Sequence, residues 1–291
     1  MPWIHLSIDI DSHYTELAAS IFELYGALSV TLQDAADEPL LEPAPGEQPL
    51  WQAIRVVALF PADFSYDRLL KTLQAELQAP DTRLTVEVLE DRDWSNTWRD
   101  SFQAMCFGRR LWVCPAGESP PDPGAVVISL DPGLAFGTGT HTTTALCLEW
   151  LDANPPPGKC VIDYGCGSGI LAIGAHKLGA VSVQAVDIDP QALTAARENA
   201  VRNDITRDFD VMPPQALPAT PVELVLANIL ANPLIELADD LSRRVRPGGR
   251  IVLTGILEEQ AGEVMAAYQS MFGFADPLIL DVWVLLDGTR H

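Results

Sequence analysis

Asp163, Gly165, Gly167, Gly169 and Asp187 are spaced so that together they could hold a nucleoside. An apolar run ends at Asp163 and opens into three alternating glycines. A helix-like stretch and a second apolar run, VSVQAV, then end in Asp187. Strand, glycine turn, helix, strand and acid make a crossover unit of the nucleoside-binding kind. Glycines at a helix start let backbone N–H groups approach a ligand with no Cβ in between. Asp187, twenty-two residues beyond Gly165, falls where a strand-end carboxylate accepts both hydroxyl protons of a ribose.

Two nucleoside classes fit that unit. Dinucleotide sites use G-x-G-x-x-G, with the helix N-terminus on a pyrophosphate. Here the third glycine arrives one residue early, and Asp163 sits two positions before the first. A carboxylate there is misplaced beside a pyrophosphate and useful beside the ammonium or sulfonium of S-adenosylmethionine. A turn whose glycines serve packing alone is the plain alternative.

A second glycine-rich segment, AFGTGTH, runs into Thr142, Thr143 and Thr144 and then an amphipathic helix. A threonine there can cap the helix, and a bound carboxylate is favoured at the same positive end. His141 could act in catalysis, although a histidine beside a helix start more often makes a structural hydrogen bond. A third segment, VELVLANILANPL, sets Asn228 at the end of an apolar strand, with Asn232 and Pro233 opening the next helix.

The elements that would position these residues follow from hydrophobic period and punctuation. WIHLSIDI alternates as a strand, 14–25 has helical spacing, and LSVTLQD is a second strand. After the loop EPLLEPAPGEQP come a strand at 54–60, a helix at 64–77 and the strand LTVEVLE. The order β-α-β-β-α-β is that of a ferredoxin-like α+β domain. In the following stretch Trp94, Trp98 and Phe102 share one helix face, which suits a connecting helix better than a substrate grip.

From Phe107 onward, RLWVCP and AVVISLDPG read as short strands. Beyond the glycine unit come the helix PQALTAARENAVRND, the strand FDVM and the strand ELVLAN. A helix at 234–246 stops at Pro247-Gly248-Gly249 before RIVLTGI, and a helix at 258–272 precedes PLILDVWVLLDG, two short strands or a bent one. Seven strands, the last antiparallel, make a doubly wound α/β sheet, whose ligand lies beyond the carboxyl ends of the strands. The loops at 136–144, 163–169, 187–190 and 228–232 would share that rim.

Composition narrows the function classes. The 291 residues are 48% hydrophobic and 20% charged, as in a globular protein with ample core. No run approaches the length of a membrane span, and the N-terminus does not read as a signal peptide. The net charge is −22, with residues 1–100 contributing −12 and the remainder −10. That field repels phosphate backbones and attracts basic proteins, so no direct nucleic-acid binding is expected. Cys106, Cys114, Cys147, Cys160 and Cys166 form no C-x-x-C pair and read as buried thiols of a reducing compartment, with no metal site.

The segments LDPGLAFGTGTH-x-TT, VIDYGCGSGILAI, VDIDPQA and VLANILANPL, with the WIHLSIDI opening and the DRDW-x-x-x-W linker, resemble one family across nearly the whole chain. It is the PrmA methyltransferases that modify ribosomal large-subunit protein eleven. The resemblance implies a class I methyltransferase, with a Rossmann-like seven-stranded sheet and an N-terminal ferredoxin-like domain. It implies a substrate-recognition domain at 1–90, a helical linker at 91–106 and an S-adenosylmethionine-dependent domain at 107–291. The implied reaction is methylation of lysine side chains and the α-amino terminus by a cytoplasmic, monomeric enzyme.

Carried over residue by residue, Thr144, Gly165, Asp187 and Asn228 match the family's cofactor-contact positions. Phe136, Gly137, Thr138 and Gly167 are their neighbours at the ligand. Tyr164 departs from the Phe or Leu expected there. Asn228 is also the candidate for orienting the amine, and Asn-Ile-Leu-Ala in place of Asn-Pro-Pro-Tyr argues for aliphatic amines over planar amides or bases. The alternatives are a class I methyltransferase acting on another protein or a small amine, a dinucleotide-linked oxidoreductase, and a non-catalytic assembly factor.

Overall fold

The computed structural model describes residues 3–36, 51–79, 83–89, 103–118, 120, 122, 124–130 and 139–291. The chain divides into two compact units, Met1–Thr97 and Trp98–His291. Among the described residues no helix is long and apolar enough to cross a membrane.

The first unit holds β1 (Trp3–Asp11), α1 (Thr15–Leu24), β2 (Ser29–Asp34), β3 (Ala53–Pro61), α2 (Asp67–Glu76) and β4 (Thr85–Leu89). Its strands lie in the order β2-β3-β1-β4, every pair antiparallel, the ferredoxin-like arrangement expected. Alternation in β1 turns Ile4, Leu6 and Ile8 to one face, opposite Phe60, Ala58 and Val56 of β3. Helical spacing brings Ala18, Ile21 and Phe22 of α1 and Leu69 and Leu73 of α2 onto that face.

Trp94, Trp98 and Phe102 lie outside the described residues. Met105–Phe107, at the end of the stretch read as a helical linker, is a strand (β5), since Phe107 is buried and Met105 pairs with Val113. It joins β6 (Leu111–Pro115) and β7 (Val126–Leu130) in a small sheet.

The main sheet of the second unit takes β8 (Cys160–Tyr164), β9 (Ser182–Val186), β10 (Phe209–Met212), β11 (Val222–Asn228), β12 (Val245–Leu257), β13 (Phe272–Phe274) and β15 (Trp283–Arg290). Their order is β10-β9-β8-β11-β12-β15-β13, and β14 (Leu278–Leu280) pairs with β15 as an eighth strand beyond the expected seven. The first five run parallel, and β15 is antiparallel to β12. Helices α3 (Thr142–Ala153), α4 (Ile170–Lys177), α5 (Pro190–Arg202), α6 (Ala231–Glu236), α7 (Ala238–Arg244) and α8 (Ala261–Tyr268) complete the unit.

Central strands are buried on both faces, as helices on two sides of a parallel sheet require. Val161 belongs to a core with Leu148 and Ile173, whereas the next residue, Ile162, belongs to the other with Leu241 and Tyr268. The order of connection reverses at β8: the chain steps outward through β9 and β10, then crosses to the other side of β8 for β11 and β12. That switch point opens a crevice at the strands' carboxyl ends.

Three expectations are corrected. The helix at 234–246 is two helices, and β12 begins already at Val245; Val222 pairs with Val245 and Leu224 with Arg250, so Pro247-Gly248-Gly249 is an irregularity within the strand, with Gly248 at φ +74. The helix at 258–272 is a 3-10 turn at Glu258–Gln260 followed by α8, and its last residues become β13. Of the five free thiols, Cys114, Cys147 and Cys166 are buried, but Cys160 is half-buried and Cys106 exposed.

Candidate active site

The carboxyl ends of β8, β9, β11 and β12 converge on a cavity of about 640 Å³. Gly165 and Gly167 come from the loop after β8, Asp187 and Ile188 from the end of β9, and Pro214 and Gln215 from the turn after β10. Asn228, Ile229 and Leu230 follow from β11, Gly255 from β12 and Trp283 from β15, while His141 and Thr143 stand at the start of α3. Among the described residues Asp187 is the one carboxylate of this lining, and no lysine or arginine shares it.

Backbone geometry explains the glycines. Gly165 and Gly169 hold φ of +78 and +79, the left-handed region that favours glycine. A Cβ on Gly165 would overlap Ile229 Cγ2, and one on Gly169 would press on Ala196 of α5 at 3.1 Å. The first glycine thus admits the β11 loop beside the cavity, and the last admits a packed helix. Gly165 N and Cys166 N both donate to Val186 O, at 2.7 and 2.9 Å, tying the loop to the end of β9.

Asp187 is held by the same loop. Its Oδ2 accepts from Gly167 N and its Oδ1 from Asp189 N, both at 2.9 Å. Each oxygen keeps a further lone pair, so the carboxylate is oriented yet able to accept from a ligand. Asp189 caps α5 by accepting from Gln191 N at 2.8 Å, and Pro190 fills the first helical position.

Asp163 corrects the reading that set it beside a cationic ligand. It is 1% exposed and not part of the cavity wall. Its Oδ2 accepts from Ala172 N at 2.9 Å, serving a helix whose own N-cap, Gly169, has no side chain. Oδ1 is buried with no hydrogen-bond partner among the described residues. Burial pushes the carboxyl up to about 7, against the pull of the Ala172 N–H and with a further rise from Asp187.

The start of α3 also differs from expectation. His141 is the N-cap, its Nδ1 accepting from Thr143 N at 3.3 Å and lying 2.8 Å from Thr143 Oγ1; its ring meets Trp283 edge-on at 5.0 Å. Thr144 is 1% exposed and does not line the cavity; its Oγ1 accepts from Asn228 Nδ2 at 3.4 Å and so braces Asn228 from behind. Gly255, at φ +85, leaves room for the backbone of Ile229.

Of the residues singled out in the sequence, Gly165, Gly167, Asp187 and Asn228 meet at the cavity, Thr144 lies behind it, and Phe136, Gly137 and Thr138 fall outside the described residues. Ile188 and Ile229, each directly after a strand-end polar residue, and Leu230 beside Ile229 were not singled out, although the loops 187–190 and 228–232 that hold them were expected on the rim. Trp283 and Gly255 carried no local signal. Among the described residues no group of His, Cys, Asp and Glu could hold a metal ion.

Comparison with known proteins agrees along the chain. A family model described as "Ribosomal protein L11 methyltransferase (PrmA)" matches residues 2–291. A relative of that name from Azotobacter vinelandii is 50% identical, the match covering all of both chains, and one from Idiomarina loihiensis is 46% identical over all of this chain and 99% of its own. The crystal structure of a ribosomal protein L11 methylase from Lactobacillus delbrueckii subsp. bulgaricus superposes with a TM-score of 0.60 at 34% identity, over 65% of this chain and 99% of that one. With its sheet order, switch-point cavity and end-to-end match, this chain belongs to the ribosomal protein L11 methyltransferase (PrmA) family.

Proposed function

We propose that this chain transfers methyl groups from S-adenosylmethionine to amino nitrogens of ribosomal large-subunit protein eleven, at lysine side chains and the α-amino terminus. The observation that carries the reading is the charge of the cavity: among the described residues it has one carboxylate, no lysine or arginine, and walls of Ile188, Ile229, Leu230 and Trp283. A pyrophosphate would meet Asp187 with no cation to balance it; a nucleoside bearing a sulfonium meets an attractive field. The residues present therefore fit that donor.

When bound, S-adenosylmethionine supplies a methyl group on a cationic sulfur, a good leaving group for in-line displacement. In this reading Asp187 accepts the ribose hydroxyls, and the Gly165–Gly167 backbone lies against the ligand without intervening side chains. The apolar wall excludes water and disfavours the charged form of an entering amine. That matters because only the neutral amine is nucleophilic, and with an ordinary lysine pKa about one in two thousand is neutral at pH 7. Asn228, braced by Thr144, orients the amine through its amide oxygen without fixing a positive charge there. The family resemblance adds Phe136, Gly137 and Thr138, outside the described residues, to the expected donor contacts. The domain at 1–90, which carries most of the −12 charge of residues 1–100, supplies the recognition surface for a basic substrate.

Intact-mass spectrometry of purified protein eleven incubated with enzyme and donor tests this. Mass gains of one or more methylene units, on fragments carrying lysine or the α-amine, are the expected result. No gain, with the donor bound by calorimetry, would move the substrate to another amine.

A further inference from the structure

Beside the cavity the structure carries a surface that donor binding leaves unused. Strands β14 and β15 form a two-residue hairpin turning at Asp281 and Val282, with Asp281 at φ +55. On this short outer strand Leu278 and Leu280, 48% and 42% exposed, form an apolar row on the face of their partners Leu285 and Trp283, while Ile279 turns to the opposite face and Val282, 47% exposed, sits in the turn. The row is continuous with the site: Leu280 pairs with Trp283, which lines the cavity, and Thr142 at the start of α3 donates to Asp281 Oδ2 at 3.4 Å. Its border is acidic. Asp281 lies in the turn itself, and Glu258 and Glu259 follow the end of β12 beside it. Glu258 and Glu259 are exposed, and Glu258 N donates to Val282 O at 3.0 Å, which sets them against the hairpin tip.

An exposed apolar row edged by carboxylates, at the mouth of an amine-modifying site, matches one kind of occupant. We infer that the β14–β15 hairpin is a docking lip for the lysine-rich stretch of polypeptide that carries the target amine, holding aliphatic side chains on Leu278 and Leu280 and cationic ones at Glu258, Glu259 and Asp281. The inference rests on the methyl-transfer reading and adds where the chain flanking the acceptor is held. A free amine, with no flanking chain, would not use the lip.

Steady-state kinetics on the full-length enzyme tests it, with two variants, Leu278→Ser/Leu280→Ser and Glu258→Lys/Glu259→Lys. All of these side chains are exposed, so folding is retained, and circular dichroism with a thermal melt verifies that. Expected is a rise in KM for protein eleven on the order of tenfold in each, with kcat and the calorimetric donor Kd unchanged. The charge-reversed variant also loses most of the salt dependence of KM. KM within about twofold of wild type for both variants overturns the docking lip while leaving the activity in place. Weakened donor binding in the first variant also overturns it, because the hairpin would then act through the cavity. Absence of methyl transfer by the wild-type enzyme under the same conditions removes the underlying reading, and the lip with it, and is visible before any variant is compared.

Discussion

The sheet of the first unit and the main sheet of the second are buried in opposite ways. In the first unit β1 alternates, with Ile4, Leu6 and Ile8 inside and their neighbours partly exposed, so one face meets helices and the other does not. In the second, β11 and the later part of β12 are buried almost without interruption, and successive residues of β8 enter different cores. In the antiparallel sheet neighbouring strands point opposite ways, so their carboxyl ends are spread over both edges. The parallel sheet delivers β8, β9, β11 and β12 with their carboxyl ends on one rim, which is where a ligand crevice forms. Every described residue lining the cavity accordingly comes from the second unit.

The strongest way to break that contrast is Gly165→Val. Valine would have to adopt φ near +78 and overlap Ile229; a β-branched residue is a genuine outlier there. Donor affinity and turnover are expected to fall by about 100-fold or more, read by calorimetry and methyl transfer. Near-normal affinity would mean the loop needs no glycine. Phe22→Ala is the matching lesion in the first unit. Phe22 is fully buried among Ile21, Phe60 and Leu73, and its loss costs about 3–5 kcal/mol of that unit's stability. Denaturant melts should show the loss while the donor Kd stays put; a shifted Kd would contradict a cavity built from the second unit alone.

Legibility followed the same division. The limits of β8 and β9 were readable to within a residue because charged and glycine residues punctuate continuous apolar runs. So was the first unit's order, because its strands alternate and its helices carry apolar spacing. Elements beyond residue 230 were less readable. Pro247-Gly248-Gly249 reads as a helix stop, yet pairing of Val245 with Val222 draws it into β12. Phe272–Phe274 continues a helical pattern locally and becomes a strand only because β15 is there to pair with it. Trp283 reaches the cavity through the antiparallel pairing of β15, a relation between distant segments that no local period records.

Asp163 and Asp187 carry the contrast into one crossover unit: two acids flanking the same glycines, one under the loop and one on the cavity. Asp163→Asn is the next test. Burial lifts the Asp163 carboxyl to about 7, whereas an unfolded aspartate titrates near 3.9. Below that lower value both states are protonated. As pH rises between the two, the unfolded chain loses its proton and the folded one keeps it, so stability falls across the window and levels off above about 7. The charged and titratable groups around it are Asp187 at the end of β9, Cys166 in the loop and Cys147 on α3. Asparagine keeps an acceptor for Ala172 N and removes the titration. Between about pH 5 and 8 wild type should lose about 2–3 kcal/mol relative to the variant in urea melts; a pH-independent difference would show Asp163 already ionised at pH 5.

Asp187→Ala has the smallest expected effect and the most specific one. Two hydrogen bonds from Gly167 N and Asp189 N hold the carboxylate, so its removal withdraws a charged acceptor from the ligand and slackens the loop that frames it. Donor binding is expected to weaken by about 2 kcal/mol, roughly 30-fold, with the melting transition little changed because Asp187 is only half-buried. Asp187→Asn separates the two contributions. Its amide oxygen can replace one of the two acceptors, so affinity should recover in part if ligand contact dominates, and loop geometry would be restored without affinity if charge dominates. Equal affinity in wild type and Asp187→Ala would leave the second sheet's rim without its anchoring acid, and the cavity would then owe its selectivity to the apolar wall of Ile229, Leu230 and Trp283.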